Sequence, residues 1–313
     1  MEILLFSANC VLPILLLMAA GYLLRRLRIV SDDFVMQANR FCFQVTLPVQ
    51  LFCNIYRQQP EAGGGRLIGF AVVAVLAVAG LLCLLVPRVE RDRRACASMI
   101  QGIFRGNFLL FGLPLALNMF GQEGVMPTAL LLPVAIPLYN VLAVVILTHF
   151  GGGGKGLAIK PMLMGIIRNP LILASLLGIL VSFMPFSFPE FLSAALDDIG
   201  ATATPLALMM LGAQFDFGKL KGNLKKALAC TVVRLLLVPM VVVTLAVILG
   251  FRGPELGAIF ILFCAPTAVS SYVMAQNMGA DGDLAGQLVV MTTVFSGVTL
   301  FAQTALLKAL ALI

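Results

Sequence analysis

Long runs of apolar residues, separated by short charged or glycine-rich stretches, dominate the chain. A helix that crosses a membrane needs about 20 predominantly apolar residues. Because lipid offers the backbone no hydrogen bonds, a spanning segment must satisfy its own, as an α-helix does. We therefore predict an all-α membrane protein with ten transmembrane helices, numbered here as segments 1 to 10. Their predicted bounds are 3–24, 34–56, 66–87, 95–120, 124–148, 163–184, 193–214, 224–250, 255–279 and 283–310.

The composition supports a membrane protein. Of the 313 residues, 61% are hydrophobic and 11% are charged, and the mean hydropathy is +1.05. Soluble domains are about half apolar and a quarter charged, so this balance excludes a soluble enzyme and a nucleic-acid-binding protein. One histidine and seven cysteines without a Cys-x-x-Cys pair predict neither a cofactor nor a metal site, and no disulfide framework.

The basic residues alternate between loops. The loops that follow segments 1, 3, 5 and 7 carry fourteen of them, and the loops on the other side carry four. Lys and Arg collect in cytoplasmic loops, so we predict a multi-pass protein of the cell membrane with both termini outside the cytoplasm. The first apolar run ends in Arg25, Arg26 and Arg28 and is predicted to be an uncleaved anchor.

The two halves of the chain contain an internal repeat. Three pairs of helix-breaking residues share an offset of 157 residues: Pro13 and Pro170, Gly21 and Gly178, and Pro48 and Pro205. The predicted division is a first repeat at 1–150, a glycine-rich cytoplasmic linker at 151–162 and a second repeat at 163–313. Each repeat has five segments, an odd number, so the second must be inverted in the membrane, as in many secondary transporters.

Segments 4 and 9 carry helix-breaking residues at equivalent places. Segment 4 contains Arg105-Gly106-Asn107, and segment 9 contains Pro266-Thr267. Proline removes a backbone donor and clashes with the preceding turn, whereas glycine lowers the cost of unwinding. Two helices that break and cross at mid-membrane would present two half-helix N-termini, which favour an anion.

The candidate substrate-binding residues lie at or beside these breaks. The buried fork of an arginine suits a carboxylate, and the polar neighbours could line the cavity. For Arg105 a shallower, snorkelling position stays open, and for Asn107 and Thr267 so does a capping or interhelical role. Gln50 could face the site from segment 2. The predicted set is Arg105, Gly106, Asn107, Asn140, Pro266, Thr267, Ser270 and Ser271.

Three motifs resemble those of the auxin efflux carrier family. The run from Gly106 to Leu115 is similar to its fourth-helix motif, and the run from Pro266 to Ala275 to its ninth-helix motif. Arg168-Asn169-Pro170 is similar to the start of its sixth helix. In length and segment count the resemblance covers the whole chain. In plant members Pro precedes Asn at the first crossing, where this chain has Gly106.

The resemblance implies the crossed-helix fold of bile-acid and sodium/proton transporters. Segments 1, 2, 6 and 7 would then form a scaffold, and segments 3–5 and 8–10 a transport bundle that moves against it. Bacterial members of the family are associated with organic anions such as malate or malonate. The resemblance also implies a homodimer, with the lipid bilayer and a small organic anion as the other partners.

The function predicted from the sequence is therefore export of a small organic anion, a mono- or dicarboxylate, by an elevator-type secondary transporter. No acidic residue falls at the middle of a segment, and cation-coupled carriers commonly use buried carboxylates. Export down the anion's own gradient, aided by the membrane potential, is thus favoured. The alternatives are a proton- or sodium-coupled carrier of another small solute, or a channel. A membrane-embedded enzyme is not expected, because the required His, Ser or Asp pairs are absent from the sequence.

Overall fold

The computed structural model describes residues 2–57, 64–121, 124–151, 168–184, 188–214 and 217–313. Within these ranges the regular structure is entirely helical, with π-helical turns at Cys42–Thr46 and Val233–Leu237. Residues 152–167, which hold most of the predicted linker and the start of segment 6, lie outside the described ranges. The helices are α1 (Glu2–Arg26), α2 (Asp32–Phe41), α3 (Leu47–Tyr56), α4 (Gly65–Val89), α5 (Arg93–Phe104), α6 (Phe108–Phe120), α7 (Met126–Gly151), α8 (Pro170–Ser182), α9 (Glu190–Ala201), α10 (Ala203–Gln214), α11 (Phe217–Val232), α12 (Val238–Ile248), α13 (Gly253–Cys264), α14 (Ser270–Asn277) and α15 (Gly282–Ala309).

Several of these helices suit a lipid bilayer. Among the described residues, five helical stretches are long and apolar enough to span it: Gly65–Val89, Met126–Gly151, Glu190–Gln214, Asn223–Ile248 and Gly282–Ala309. Segments 4 and 9 are not among them, because each is divided into two short helices. The protein is thus an all-α, multi-pass membrane protein.

Both π-helical turns end two residues before a proline. Pro48 and Pro239 are each the second residue of the helix that follows. A proline ring inside a regular α-helix clashes with the carbonyl four residues earlier, and a wider π-turn relieves this crowding. The second turn contains Arg234, whose side chain is fully buried.

The two half-helices that precede the breaks are shielded from lipid. Every residue of α5 from Ala95 to Phe104 is buried, and so is every residue of α13 from Leu256 to Cys264. By contrast, α4 exposes leucines and valines along one side. A helix that is buried all round sits in the interior of a bundle, so the breaks lie inside the protein, where unsatisfied backbone groups can find protein partners.

Glycines allow two helix pairs to approach closely. A Cβ on Gly21 of α1 would overlap the backbone of Met209 in α10. A Cβ on Gly178 of α8 would come within 3.3 Å of the Phe52 carbonyl oxygen in α3. Small residues at such contacts give membrane helices their van der Waals packing, so α1 with α10 and α3 with α8 form closely packed pairs.

Candidate functional site

Segments 4 and 9 are interrupted where the sequence predicts breaks. In segment 4 the α-helix ends at Phe104 and resumes at Phe108. In segment 9 it ends at Cys264 and resumes at Ser270. Each break therefore leaves helix carbonyls on one side and helix amides on the other without intrahelical partners.

The two interruptions cross each other in direct contact. Gly106 and Thr267 form an isolated antiparallel β-bridge. The backbone N–H of Asn107 donates to the backbone carbonyl oxygen of Pro266 at 2.7 Å. Backbone N–H and C=O groups that lose their helical partners at one break thus find hydrogen-bond partners at the other. A buried break would otherwise leave these polar groups unpaired, which is costly.

A pocket opens beside this crossing, at the N-termini of α6 and α14. Its cavity volume is about 80 Å³, several times the space that one water molecule needs. One wall comes from the crossing and α7, and the other from α3, α8 and α10. The lining residues are Leu47, Gln50, Leu51, Asn54, Arg105, Gly106, Asn107, Phe108, Ile136, Tyr139, Asn140, Leu171, Thr204, Ala207, Ala268, Val269 and Ser270.

Arg105 is buried in the wall of this pocket, with 5% of its surface exposed. Its Nη2 donates to the Asn140 side-chain oxygen at 2.6 Å, and its Nη1 contacts the Met274 sulfur. Asn140 is itself anchored, since its Nδ2 donates to the Ile136 carbonyl at 2.8 Å. A snorkelling position at the membrane surface does not agree with these contacts.

No carboxylate neutralises this arginine within the described residues. Ion pairs there join Arg25 to Asp32, Arg57 to Asp197 and Lys226 to Glu90, and no Asp or Glu is buried among the residues whose side chains the structure describes. A buried cation without an anionic partner is costly. Arg105 and two half-helix N-termini therefore create a pocket wall that is electrostatically suited to an anion.

The structure brings five of the eight predicted site residues to the pocket and leaves three behind its wall. The five are Arg105, Gly106, Asn107, Asn140 and Ser270. The other three, Pro266, Thr267 and Ser271, do not line it. Ser271 is buried, and its hydroxyl has no hydrogen-bond partner within the described residues.

Thr267 turns away from the pocket and joins neighbouring helices. Its hydroxyl donates to the Gly102 carbonyl at 2.7 Å, and its amide donates to the Thr292 hydroxyl at 3.0 Å. Of the alternatives left open, Thr267 takes the interhelical role, and neither Thr267 nor Asn107 caps the second half-helix with its side chain. Asn107 precedes α6 without a side-chain cap bond, and Val269, not Thr267, is the residue that precedes α14.

Two polar residues that line the pocket, Asn54 and Thr204, were not predicted from the sequence. Asn54 lies four residues after Gln50, on the same face of α3, and polar residues one turn apart in an apolar helix are a usable sign of a cavity. The Gln50 amide contacts the Thr204 hydroxyl across the α3–α10 interface at 3.4 Å. These residues supply the uncharged polar wall opposite Arg105.

A second buried arginine, Arg234, lies directly behind the crossing. Its guanidinium donates to backbone carbonyls at the ends of both α5 and α13. A Cβ on Gly106 would overlap its Nη2, so this guanidinium lies directly against the backbone of a residue that lines the pocket. In the sequence, Arg234 could have been singled out because it is an arginine about ten residues inside an apolar run.

Comparison with known proteins identifies the family. The sequence profile of the family described as "Membrane transport protein" matches residues 6–152 and 156–302, nearly the whole chain. The chain belongs to this family. This is the auxin efflux carrier family that the crossover motifs resemble, and its members are transporters rather than enzymes.

Relatives of similar length agree. A protein from Rhizobium meliloti with the name "Putative malonate transporter" is 26% identical over 312 residues, which cover 96% of each chain. An uncharacterized transporter from Methanothermobacter thermautotrophicus is 24% identical over 300 residues, or 94% of this chain and 96% of the relative. Another, from Methanocaldococcus jannaschii, is 24% identical over 297 residues, or 92% and 94%. The chain is thus a membrane transporter.

Proposed function

We propose that this transporter exports a small organic anion, a mono- or dicarboxylate, by elevator-type alternating access. The observation that carries the proposal is the unneutralised guanidinium of Arg105 in a pocket at two half-helix N-termini. An arginine fork can hold a carboxylate through two parallel hydrogen bonds. The name of the Rhizobium relative points to a dicarboxylate among the candidates.

The anion's contacts follow from the pocket wall. One carboxylate would meet Arg105 and the first amides of α6 and α14, with Asn107 and Ser270 as hydrogen-bonding neighbours. Gln50 and Asn54 face it from the scaffold side and could receive a second polar group. Binding between two bundles suits alternating access, since a movement of either bundle changes which side of the pocket is open.

An inverted repeat is supported by the packing of the glycines. Gly21 approaches the Met209 backbone, and Gly178 approaches the Ile55 side chain and the Phe52 carbonyl. Met209 and Phe52 are 157 residues apart, as the two glycines are. The contact of α8 with α3 thus repeats the contact of α1 with α10 in the other half. This agrees with repeats at 1–150 and 163–313, with segments 1, 2, 6 and 7 as scaffold and the others as the moving bundle.

Hydrogen bonds join the two proposed bundles near the crossing. The Tyr272 hydroxyl accepts a bond from the Asn39 amide at 3.1 Å and donates to the Gln214 side-chain oxygen. Asn39 and Gln214 lie at the ends of segments 2 and 7 that the charge bias assigns to the cytoplasm. The proposal is therefore that the pocket is shut toward the cytoplasm in this conformation.

Both termini are proposed to be outside the cytoplasm of the cell membrane, and the transporter to form a homodimer. With that orientation, an inside-negative potential contributes about 2.3 kcal/mol per charge per 100 mV to anion export. The driving force can be tested by anion uptake into proteoliposomes. An uptake rate that does not change with an imposed voltage but changes with a pH step would contradict it and favour proton coupling.

The experiment is a thermal-shift screen of purified protein with malonate, malate and a monocarboxylate, and with neutral malonamide as the matched ligand control. Arg105→Gln and Asn107→Ala are compared with Arg40→Gln, which removes an exposed arginine of α2. Loss of a charge-assisted hydrogen bond costs about 1.5–3 kcal/mol. We therefore expect Arg105→Gln to weaken anion binding by about 10- to 150-fold, and Arg40→Gln to leave it unchanged.

Two results would reject the proposal. If malonamide shifts the unfolding temperature as much as malonate does, the pocket does not select charge. If an acid stabilises wild type, Arg105→Gln and Asn107→Ala equally, the anion binds elsewhere. A hit should then be checked by saturable flux in proteoliposomes, because a channel would not saturate at the affinity measured by binding.

A further inference from the structure

Arg234 makes four hydrogen bonds to backbone carbonyls around the crossing. Its Nη1 donates to Ile103 at 2.9 Å and to Phe104 at 3.2 Å. Its Nε and Nη2 donate to Ala265 at 2.9 and 2.7 Å. The side chain has no exposed surface, so these carbonyls take the place of bulk solvent around its charge, together with a contact to the Tyr139 side chain.

Those carbonyls are free because both helices break. The last carbonyls of a helix have no intrahelical donors and form the negative end of its dipole. Where α5 and α13 end side by side, their carbonyls make a cradle for a cation. In secondary transporters with broken helices, unwound carbonyls and half-helix C-termini coordinate the coupling ion.

In this protein the guanidinium of Arg234, a cation that belongs to the chain itself, already occupies the cradle. Among the described residues, the buried charged side chains are Arg105 and Arg234, with no buried carboxylate near either. Gly106 closes the cradle toward the pocket, since a Cβ there would lie 3.2 Å from the Arg234 Cζ and overlap its Nη2. A metal ion could enter only if the guanidinium left.

We propose that Arg234 is a tethered substitute for a coupling cation: it fills the carbonyl cradle permanently, so the transporter binds its anion without a sodium or potassium ion at the crossing. This rests on the proposed function, in which the crossing is the anion site. Its charge would reach the pocket through Gly106 in every conformation of the cycle. Arg234 is then a positioning residue that does not touch the substrate.

The test is chemical rescue of the empty cradle. Arg234→Ala is compared in thermal unfolding with Arg252→Ala, which removes an exposed arginine that also donates to backbone carbonyls, those of Val247 and Phe251. Each is measured in choline chloride with additions of guanidinium, sodium or potassium at millimolar concentration. We expect Arg234→Ala to unfold at a lower temperature and to be restabilised saturably by guanidinium. Arg252→Ala and wild type should show no such effect.

The sodium dependence of malonate binding to the wild-type protein tests the proposal independently of the variants. Its shift with malonate should be the same in sodium chloride and choline chloride of equal ionic strength. If Arg234→Ala does not fold, Arg234→Lys takes its place, and we expect a lower unfolding temperature that sodium does not restore.

Three results would overturn the inference. These are saturable stabilisation of wild type by sodium, a malonate shift that requires sodium, or a guanidinium response of Arg234→Ala no larger than that of Arg252→Ala. If no anion shifts wild type at all, the proposed function fails, but the rescue of Arg234→Ala still decides whether the cradle is a cation site.

Discussion

The substitution Gly106→Ala should test the arrangement of the crossing most directly. The backbone of Gly106 is not in the left-handed region, so alanine could adopt its conformation without strain. The cost is steric, because the new Cβ would overlap the Arg234 Nη2, which donates to Ala265 at 2.7 Å. Either the guanidinium or the backbone of the crossing must move.

The magnitude follows from two terms. Loss of one charge-assisted hydrogen bond by Arg234 costs about 1.5–3 kcal/mol, and forcing an extra methyl into a packed site costs about 1–3 kcal/mol. Their sum is about 2.5–6 kcal/mol. A destabilisation of 1 kcal/mol lowers the unfolding temperature of a mid-sized protein by roughly 2–4 °C, so a fall of about 5–24 °C is expected for Gly106→Ala.

The assay is thermal unfolding of the purified protein in detergent, with two matched glycine-to-alanine controls. A Cβ on Gly112 of α6 would meet the Phe108 ring at an ordinary 3.4 Å, and a Cβ on Gly80 of α4 would meet no atom within 4 Å. Both controls should be neutral or stabilising, since alanine is the better helix former. The reasoning is refuted if Gly106→Ala unfolds at the same temperature as the controls.

Three further predictions concern other contacts. Gly21→Ala should lower the unfolding temperature, because its Cβ overlaps the Met209 backbone and overpacking costs about 1–3 kcal/mol; a neutral result would contradict the close packing of α1 on α10. Tyr272→Phe, which removes hydrogen bonds between the two proposed bundles, should speed transport about fivefold, equivalent to about 1 kcal/mol; an unchanged or slower flux would argue against a gating contact. A hydrogen-bonded ion pair with Lys226 lowers the pKa of Glu90, so its stabilisation is complete above the ordinary pKa of a glutamate and is lost as the pH falls through the lowered value. In unfolding measured against pH, Glu90→Gln should not show this loss of stability at low pH. If the variant loses stability at low pH as wild type does, the ion pair does not contribute.

The sequence by itself determined the class of protein, its family and the location of the breaks. Apolar runs of membrane length leave few alternatives, because lipid excludes unpaired backbone. Gly106 and Pro266 stand at equivalent places in the two halves, each beside a polar residue, and so they marked the interruptions. A charged residue in an apolar run is equally conspicuous, which is why Arg105 stood out.

Only the tertiary structure decided which side chains face the pocket and which cation fills the cradle. In a regular helix the spacing of residues predicts their direction, but in an interrupted one the direction depends on the chain that crosses it. Thr267 therefore turns to Gly102 rather than to the pocket. Arg234 reaches the Ile103 carbonyl across 131 positions of sequence, a pairing that no local pattern encodes, because it exists only where two broken helices end side by side.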